Sequence, residues 1–209
     1  IASLALTGFA SSSIAEDNAL YVQLGVGVSN EVDETDVTFG GVAKSKFDFK
    51  DSSSYGIGIG YDLGAWRTQL DYKKASTELD EVQITGVASA TDITGDVDVS
   101  FYTISLYRDF NNDGKFQPYV GVGIGKAYAD IGTITNVATG STFAADDDSA
   151  WSYHYTAGVA YEATDSMSIY TEYQRSQTDE FELTGNANYN SISDGVTSST
   201  FTTGIRYSF

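Results

Sequence analysis

The sequence contains no cysteine, one proline, one methionine and one histidine, and it has no long hydrophobic run. The absence of cysteine excludes disulfides, thiol chemistry and cysteine-ligated metals. A helix that spans a membrane needs about 18 or more consecutive apolar residues, so no such helix is predicted. Only 11 lysine and arginine residues stand against 29 aspartate and glutamate residues, which gives a net charge of -18. Nucleic acid is excluded as a partner, because binding to phosphates requires a basic face.

The residues that are abundant favour β-strands. The 209 residues include 21 glycines, 15 tyrosines and 11 phenylalanines. Aromatic side chains suit the pleated surface of a sheet. The composition is slightly polar on average, as in many soluble proteins. A membrane barrel has a similar average, because only every second residue of its strands faces lipid.

The first 15 residues have the features expected at the end of a secretory signal. Ile1 to Ala10 is a short apolar run, and Ser13-Ile14-Ala15 forms a small-x-small cleavage site. We expect residues 1–15 to be a signal-peptide remnant that is cut after Ala15, and residues 16–209 to form the mature domain. A buried first helix is the alternative, and its ten residues make it the weaker one.

Eight segments alternate between apolar and polar or small residues, which predicts strands with two different faces. They are Leu20–Ser29, Tyr55–Asp62, Ala65–Ser76, Val99–Phe110, Phe116–Tyr128, Trp151–Glu162, Met167–Gln177 and Ser199–Phe209. The gaps between them run 25, 2, 22, 5, 22, 4 and 21 residues, so long and short gaps alternate. The short gaps carry turn residues, such as Leu63-Gly64.

This spacing predicts the fold class. Residues 16–209 are expected to form an all-β, eight-stranded, antiparallel up-and-down transmembrane β-barrel. Tight turns at one end and long loops at the other are typical of barrels in the outer membrane of bacteria. Within the long loops, the sequence at residues 82–85 and 181–184 predicts additional strands. We expect these strands to form hairpins that project beyond the membrane.

The two faces of the predicted strands distinguish a membrane barrel from a soluble one. The second strand sets Ile57 and Ile59 against Gly56, Gly58 and Gly60. Glycine is a poor choice for a solvated surface, but it fits where eight strands converge on a narrow lumen. The glycine face is therefore predicted to point inward and the apolar face outward to lipid. The lipid-facing set includes Leu20, Val22, Ile57, Ile59, Val120, Val122, Ile205 and Tyr207.

Two segments carry a resemblance to a known family. The last strand places Phe201, Ile205, Tyr207 and Phe209 at alternate positions, and Gln117 to Gly125 alternates glycine with apolar residues after a short turn. These segments resemble the terminal strand and the fifth strand of the opacity-type and OmpA-like small barrels of Gram-negative bacteria. The resemblance covers residues 19–209 and implies a cell-surface protein of the outer membrane. It also implies that the barrel-assembly machinery reads the terminal strand during biogenesis, and that outer-membrane lipid and lipopolysaccharide surround a monomer.

The candidate motifs for catalysis, cofactor binding and metal binding do not match the full patterns that these functions require. The glycine repeats at 56–60 and 121–125 have a strict period of two, whereas the dinucleotide fingerprint is G-x-G-x-x-G. Residues 109–114 begin like a calcium loop, but Val120 stands where the bidentate glutamate is required. His154 is followed by Tyr155 and Thr156, so the His-x-Ser pattern of outer-membrane lipid hydrolases is not matched, and no serine nucleophile with an orienting acid is identified. We therefore expect no enzyme, no cofactor and no metal site.

Five charged residues fall on the inward face: Arg67, Asp71, Lys73, Glu172 and Arg206. We expect them to form a paired network that fills the lumen, with Glu172 and Arg206 as the favoured pair, because an unpaired charge in a narrow, poorly hydrated space is costly. A filled lumen favours a non-enzymatic surface barrel with a structural and loop-mediated adhesion or interaction role. The alternative is a narrow, porin-like diffusion channel for small solutes. The acidic run Asp146-Asp147-Asp148 fits either a solvated surface or weak binding of divalent cations.

Overall fold

The computed structural model consists of β-strands joined by turns and loops. It describes residues 19–32, 35–39, 43–49, 52–84, 93–94, 96–110, 114–131, 134–136, 141–143, 148–184, 190–193 and 195–209. The predicted signal remnant at 1–15 lies outside these residues, as do Asp146 and Asp147. Within the described ranges, no helix is long and apolar enough to cross a membrane. In chain order the strands are β1 (Leu20–Val32), β2 (Thr35–Phe39), β3 (Ala43–Phe49), β4 (Ser52–Asp62), β5 (Trp66–Ile84), β6 (Ile93–Thr94), β7 (Asp96–Asp109), β8 (Phe116–Ile131), β9 (Ile134–Asn136), β10 (Ser141–Phe143), β11 (Asp148–Thr164), β12 (Met167–Thr178), β13 (Phe181–Thr184), β14 (Asn190–Ser193) and β15 (Thr197–Ser208).

Eight of these strands form a closed barrel. The wall runs β1, β4, β5, β7, β8, β11, β12 and β15, and each strand pairs antiparallel with both neighbours. Pairing between the first and last strands closes the ring, with Val22 opposite Tyr207 and Gln23 opposite Arg206. The closed up-and-down barrel confirms the predicted fold class. Each predicted strand is present, and several extend farther at the outer end.

The turn between β4 and β5 shows how a short connection is built. Gly64 adopts a φ of 83°, a left-handed conformation that glycine tolerates best. Its N–H donates to Oδ1 of Asp62 over 2.8 Å, and the N–H of Leu63 donates to the carbonyl oxygen of Trp66 over 2.8 Å. The tight turn sets the register in which Asp62 lies opposite Arg67 at the periplasmic end.

The outer surface of the wall is apolar, as predicted. Ile59 is 52% exposed and Val122 is 59% exposed, although both are large hydrophobic side chains. Exposed aromatic residues occur at the strand ends beside the short turns, where the ring centroids of Phe116 and Tyr161 lie 4.9 Å apart, and farther out, where the rings of Tyr102 and Tyr128 make an edge contact at 5.7 Å. A continuous apolar band between aromatic residues is the surface that a transmembrane barrel presents to lipid.

The loops at the outer end add further strands. The strands β3, β2, β14 and β13 continue outward from β5, side by side, as an extension of the barrel wall. A separate three-stranded sheet contains β10, β9 and β6. The strand predicted at 82–85 is present to Ile84 as the end of β5, and the strand predicted at 181–184 is β13. Thr85 lies outside the described residues.

A charge placed at mid-depth on the lipid face should be costly. We expect Val122→Arg to lower the free energy of unfolding by about 2–4 kcal/mol, because the guanidinium replaces an apolar side chain near the bilayer midplane. The matched control is Val28→Arg, at an exposed position near the outer end of β1, where the cost should be about 0–1 kcal/mol. Denaturant unfolding in lipid vesicles, followed by tryptophan fluorescence, measures both. Equal costs at the two positions would contradict the assigned depth.

Candidate functional site

The lumen of the barrel holds nearly all the buried polar side chains of the described wall. Alternation along the strands turns every second side chain inward, and the five predicted charges all lie on this inward face. Arg67, Glu172 and Arg206 are buried, and Asp71 and Lys73 are half-buried. The lumen is therefore the place where a channel, a binding site or a plug must be sought.

An ion pair occupies the periplasmic part of the lumen. The Arg67 guanidinium binds the Asp109 carboxylate through two hydrogen bonds, from Nε to Oδ2 over 2.6 Å and from Nη2 to Oδ1 over 3.0 Å. Arg67 is only 1% exposed and Asp109 is 7% exposed. Two parallel charge-assisted bonds fix the plane of the guanidinium group. This pair joins β5 to the end of its neighbour β7 on the inner side of the wall.

Four inward tyrosines surround the two buried arginines. The Arg67 guanidinium carbon lies 5.6, 4.7 and 5.0 Å from the ring centroids of Tyr21, Tyr107 and Tyr119. The Arg206 guanidinium carbon lies 5.1, 5.8 and 5.8 Å from those of Tyr21, Tyr119 and Tyr170. These distances fall within the range of cation–π attraction. We call the group Tyr21, Arg67, Tyr107, Asp109, Tyr119, Tyr170 and Arg206 the arginine–tyrosine plug.

Glycines on neighbouring strands make room for the tyrosine rings. A Cβ atom built on Gly121 would lie 2.5 Å from Cε1 and 3.2 Å from Cγ of Tyr107. A Cβ atom on Gly60 would overlap the ring of Tyr21. Large and small inward side chains therefore alternate around the lumen, which lets the rings of the plug lie across the barrel.

A chain of hydrogen bonds continues from the plug toward the outer end. The Tyr21 hydroxyl accepts from Arg67 Nη1 over 3.2 Å and donates to Oε1 of Gln69 over 2.7 Å. The Gln69 amide donates in turn to Oδ1 of Asp71. The other carboxylate oxygen of Asp71 accepts from the Ser105 hydroxyl over 2.9 Å.

The chain ends at the single histidine. Ser105 Oγ lies 3.3 Å from Nε2 of His154, which is 6% exposed. The serine stands between the acid and the histidine, whereas a nucleophilic triad needs the histidine between the serine and the acid. The arrangement suits a structural network better than acyl transfer.

The predicted pair of Glu172 and Arg206 was wrong. On the paired strands β12 and β15, Glu172 lies opposite Thr202 and Arg206 lies opposite Ser168. Four residues of strand separate these positions, about 13 Å at the usual rise per residue. Glu172 instead accepts a hydrogen bond from the Tyr119 hydroxyl over 2.8 Å.

The remaining inward charges also have neutral partners. Arg206 donates from Nε to Oε1 of Gln23 at 3.4 Å and stacks on the tyrosines. Lys73 donates from its amino group to Oε1 of Gln174. Polar amides and phenols therefore take the place of the opposite charges that the sequence analysis expected.

The outer part of the lumen has a different lining. Ala127, Ala129 and Ala150 form a small buried apolar patch, and Val196 packs against it from the segment before β15. Val196 is held there because its carbonyl oxygen accepts from the backbone N–H of Thr178 over 2.9 Å. The lining also includes buried hydroxyls, and three of those described have no protein hydrogen-bond partner: Ser152, Thr156 and Thr202.

The described carboxylates of the lumen are engaged with other protein side chains. Among the described residues, no three histidine, cysteine, aspartate or glutamate side chains converge as metal ligands would. The inward carboxylates already accept hydrogen bonds from Arg67, Gln69, Ser105 and Tyr119. The lumen geometry is that of a packed polar core.

Sequence reasoning missed Asp109 and the four tyrosines of the plug. A signal was present for the tyrosines, because Tyr21 and Tyr119 share their strand face with runs of inward glycines. An aromatic residue on a strand face that otherwise carries glycines indicates a ring that points into the lumen, where the glycines leave space for it. Asp109 gave no comparable signal, since its position at a strand end also fits a turn residue.

Proteins of Brucella have sequences similar to this chain. An uncharacterized protein of Brucella abortus is 28% identical over 143 residues, which cover 59% of this chain and 50% of that protein. An uncharacterized protein of Brucella suis matches to the same extent. The chain thus spans about half the length of the curated relatives it matches.

Solved structures share the fold at low sequence identity. OprG, an outer membrane protein of Pseudomonas aeruginosa, has a TM-score of 0.66 and 16% identity, and the match covers 92% of this chain and 96% of that one. Neisserial surface protein A has a TM-score of 0.59 and 17% identity, with 93% and 100% coverage. The outer membrane protease OmpT of Escherichia coli has a TM-score of 0.53 and 10% identity, with 96% and 99% coverage. At these identities the likeness concerns the fold.

The family assignment comes from the sequence as a whole. A model of the outer membrane protein β-barrel domain matches residues 1–209. The apolar band, the closed eight-stranded wall and the polar lumen agree with that match. The chain belongs to the outer membrane protein β-barrel family, and its location is the outer membrane of a bacterium.

Proposed function

We propose that this protein is a non-enzymatic surface barrel of the outer membrane, closed to solutes, whose outer loops make contacts at the cell surface. The arginine–tyrosine plug is the observation that carries the proposal. Arg67, Tyr21 and Tyr119 are each at most 1% exposed, so the periplasmic part of the lumen is packed with side chains. Eight strands leave an interior about wide enough for side chains alone.

The contact role rests on the outer end of the molecule. Short turns join the strands at the periplasmic end, whereas the outer end carries β2, β3, β13 and β14 as an extension of the wall. Loops carried on a rigid barrel are a common place for binding residues. The excess of acidic residues disfavours anionic partners, because like charges repel.

The absence of enzymatic activity is part of the proposal. OmpT shows that a barrel of this general fold can be a protease. In this chain the only histidine lies inside the wall beside Ser105, and the carboxylate of Asp71 binds the serine rather than the histidine. A nucleophile in that position lacks an oriented base.

A narrow diffusion channel is the second candidate. The unpartnered hydroxyls of Ser152, Thr156 and Thr202 favour it, because a polar lining suits a path for small solutes. Such a path also has to pass the plug, where Arg67 and Asp109 are bound to each other. The two candidates therefore differ at the periplasmic end of the lumen.

Swelling of proteoliposomes in small sugars and amino acids separates the two candidates. We expect the native protein to give the swelling rate of empty liposomes. The double variant Arg67→Ala/Arg206→Ala, which removes both guanidinium groups of the plug, should swell faster. Native swelling at a rate set by solute size would contradict the proposal and support the channel.

The terminal aromatic residue is expected to matter for assembly more than for the folded barrel. The Phe209 side chain is 43% exposed, and its ring makes an edge contact with Tyr207 at 5.2 Å. We expect Phe209→Ala to lower the amount of protein assembled in the outer membrane of cells, while the unfolding temperature after refolding in detergent changes little. Phe116→Ala, at an exposed aromatic residue on another strand end, is the matched control. Normal cellular levels of Phe209→Ala would count against a role in assembly.

A further inference from the structure

The outer end of the lumen is lined by apolar side chains, whereas the lumen beneath it is polar. Three buried alanines and the larger side chains that pack against them form this lining, which we call the apolar collar: Val99, Phe101, Ala127, Ala129, Ala150 and Val196. On β7, the next inward residue after Phe101 toward the periplasmic end is Thr103. On β11, Ser152 stands in the same relation to Ala150. The lining therefore changes from apolar to polar just below the collar.

The collar joins strands that are not neighbours in the wall. Ala127 on β8 lies opposite Phe101 of β7 on one side and opposite Ala150 of β11 on the other. Val196 directly precedes β15, which is separated from β11 by β12 in the wall order. Its side chain nevertheless packs against the alanine cluster. Apolar side chains from separate parts of the wall therefore meet at the outer mouth and narrow the lumen there.

Thr178, at the end of β12, holds Val196 in this position. The backbone N–H of Thr178 donates to the carbonyl oxygen of Val196 over 2.9 Å. The N–H of Val196 donates to Oγ1 of Thr178 over 3.0 Å, and the Thr178 hydroxyl donates to the Val196 carbonyl oxygen over 3.5 Å. Glycine is required at 195, because a Cβ atom on Gly195 would overlap the carbonyl oxygen of Thr178. One buried hydroxyl thus supplies two of the three hydrogen bonds that fix this side of the collar.

We propose that the apolar collar is a barrier to ions at the outer mouth of the lumen, and that Thr178 holds this barrier closed through Val196. An ion loses hydration water in a narrow apolar constriction and gains no polar partner there, so such constrictions gate by dewetting. The proposal goes beyond closure by the arginine–tyrosine plug, because the collar lies at the opposite end of the lumen and shares no residue with the plug. A barrel without the plug then conducts only while the collar is open.

The reactivity of a cysteine placed beneath the collar tests this barrier. The native chain has no cysteine, so Ser152→Cys introduces a single thiol at a position that is 1% exposed. Thr156→Cys, deeper on the same strand, gives a second probe. Each folded variant is treated with neutral methyl methanethiosulfonate or with its permanently charged trimethylammonium-ethyl analogue, and each rate is divided by that of free cysteine. We expect the charged reagent to react much more slowly than the neutral one.

The role of Thr178 is tested in the same assay. Thr178→Val keeps the size of the side chain but removes the hydroxyl, and should speed the charged reagent about two- to tenfold, the usual net effect of losing one hydrogen bond. Thr202→Val is the matched control, because it removes a buried lumen hydroxyl that has no protein hydrogen-bond partner. It should leave the rate unchanged. The heat-dependent gel shift confirms that each variant is folded.

Planar bilayers provide a second readout. In the Arg67→Ala/Arg206→Ala background, Thr178→Val should lengthen the open events, whereas Thr202→Val should not. Equal normalised rates for the charged and the neutral reagent would overturn the proposal, and so would rates and open events that do not respond to Thr178→Val. Conduction by the native protein would instead refute closure by the plug, so the two failures are distinguishable.

Discussion

Replacement of Arg67 by methionine is expected to destabilise the barrel by about 3–5 kcal/mol, because it leaves the buried Asp109 carboxylate without its partner. Both groups are almost fully enclosed, and two hydrogen bonds of 2.6 and 3.0 Å join them. Asp109→Asn should have a similar cost for the opposite reason, since it leaves the guanidinium without a counter-charge. The double variant Arg67→Met/Asp109→Asn should cost less than the sum of the single variants, because neither charge is then left alone.

Denaturant unfolding of the refolded barrel measures this cycle. The matched control is the exposed pair of Lys74 and Asp98, with a distance of 2.8 Å and side chains 29% and 37% exposed. Lys74→Met and Asp98→Asn should change stability little, since solvent screens an exposed pair. Strictly additive effects at Arg67 and Asp109 would show that the two side chains are not coupled, and would remove the ion pair from the account of the plug.

Addition of one methyl group at Gly121 is the second change with a large expected effect. The new Cβ atom would overlap the Tyr107 ring. This ring is fixed on two sides, because the Arg67 guanidinium carbon lies 4.7 Å from its centroid and the Tyr119 ring makes an edge contact with it at a centroid distance of 5.8 Å. We expect Gly121→Ala to cost about 1–3 kcal/mol, the usual range for overpacking a core. The penalty should be far smaller in a Tyr107→Ala background, because all three nearest atoms belong to that ring.

A second glycine supplies the control for backbone effects. A Cβ atom on Gly56 would lie 3.1 Å from the carbonyl oxygen of Tyr72 and 3.7 Å from its next neighbours, with no ring in the way. Gly56→Ala should therefore cost less than Gly121→Ala, because the backbone there has to give by only a few tenths of an ångström and alanine also reduces the freedom of the unfolded chain. Equal costs at Gly56 and Gly121 would mean that the tyrosine rings do not require glycine opposite them.

The fold could be predicted from the sequence because its signals are local. Period-two alternation identified each of the eight strands, and the turn residues at Leu63-Gly64 identified a short connection that the structure contains. The inward direction of Gly58 and Gly60 follows from the same parity. These features depend only on neighbouring residues, so one chain is enough to find them.

The contacts within the lumen could not be predicted in the same way. Arg67 and Asp109 are 42 residues apart, and their meeting depends on the stagger between strands. A barrel of eight strands can close with different staggers, and each would bring different inward residues to one height. The prediction of a Glu172–Arg206 pair failed for this reason, although both side chains are buried in the lumen.

The arginine–tyrosine plug should close the lumen at its periplasmic end. Single-channel recording of the native protein in planar bilayers measures whether it does. We expect no stable open level for the native protein, and open events for Arg67→Ala/Arg206→Ala under the same voltage and salt. A stable conductance of the native protein, unchanged by that double substitution, would show that the plug does not close the lumen.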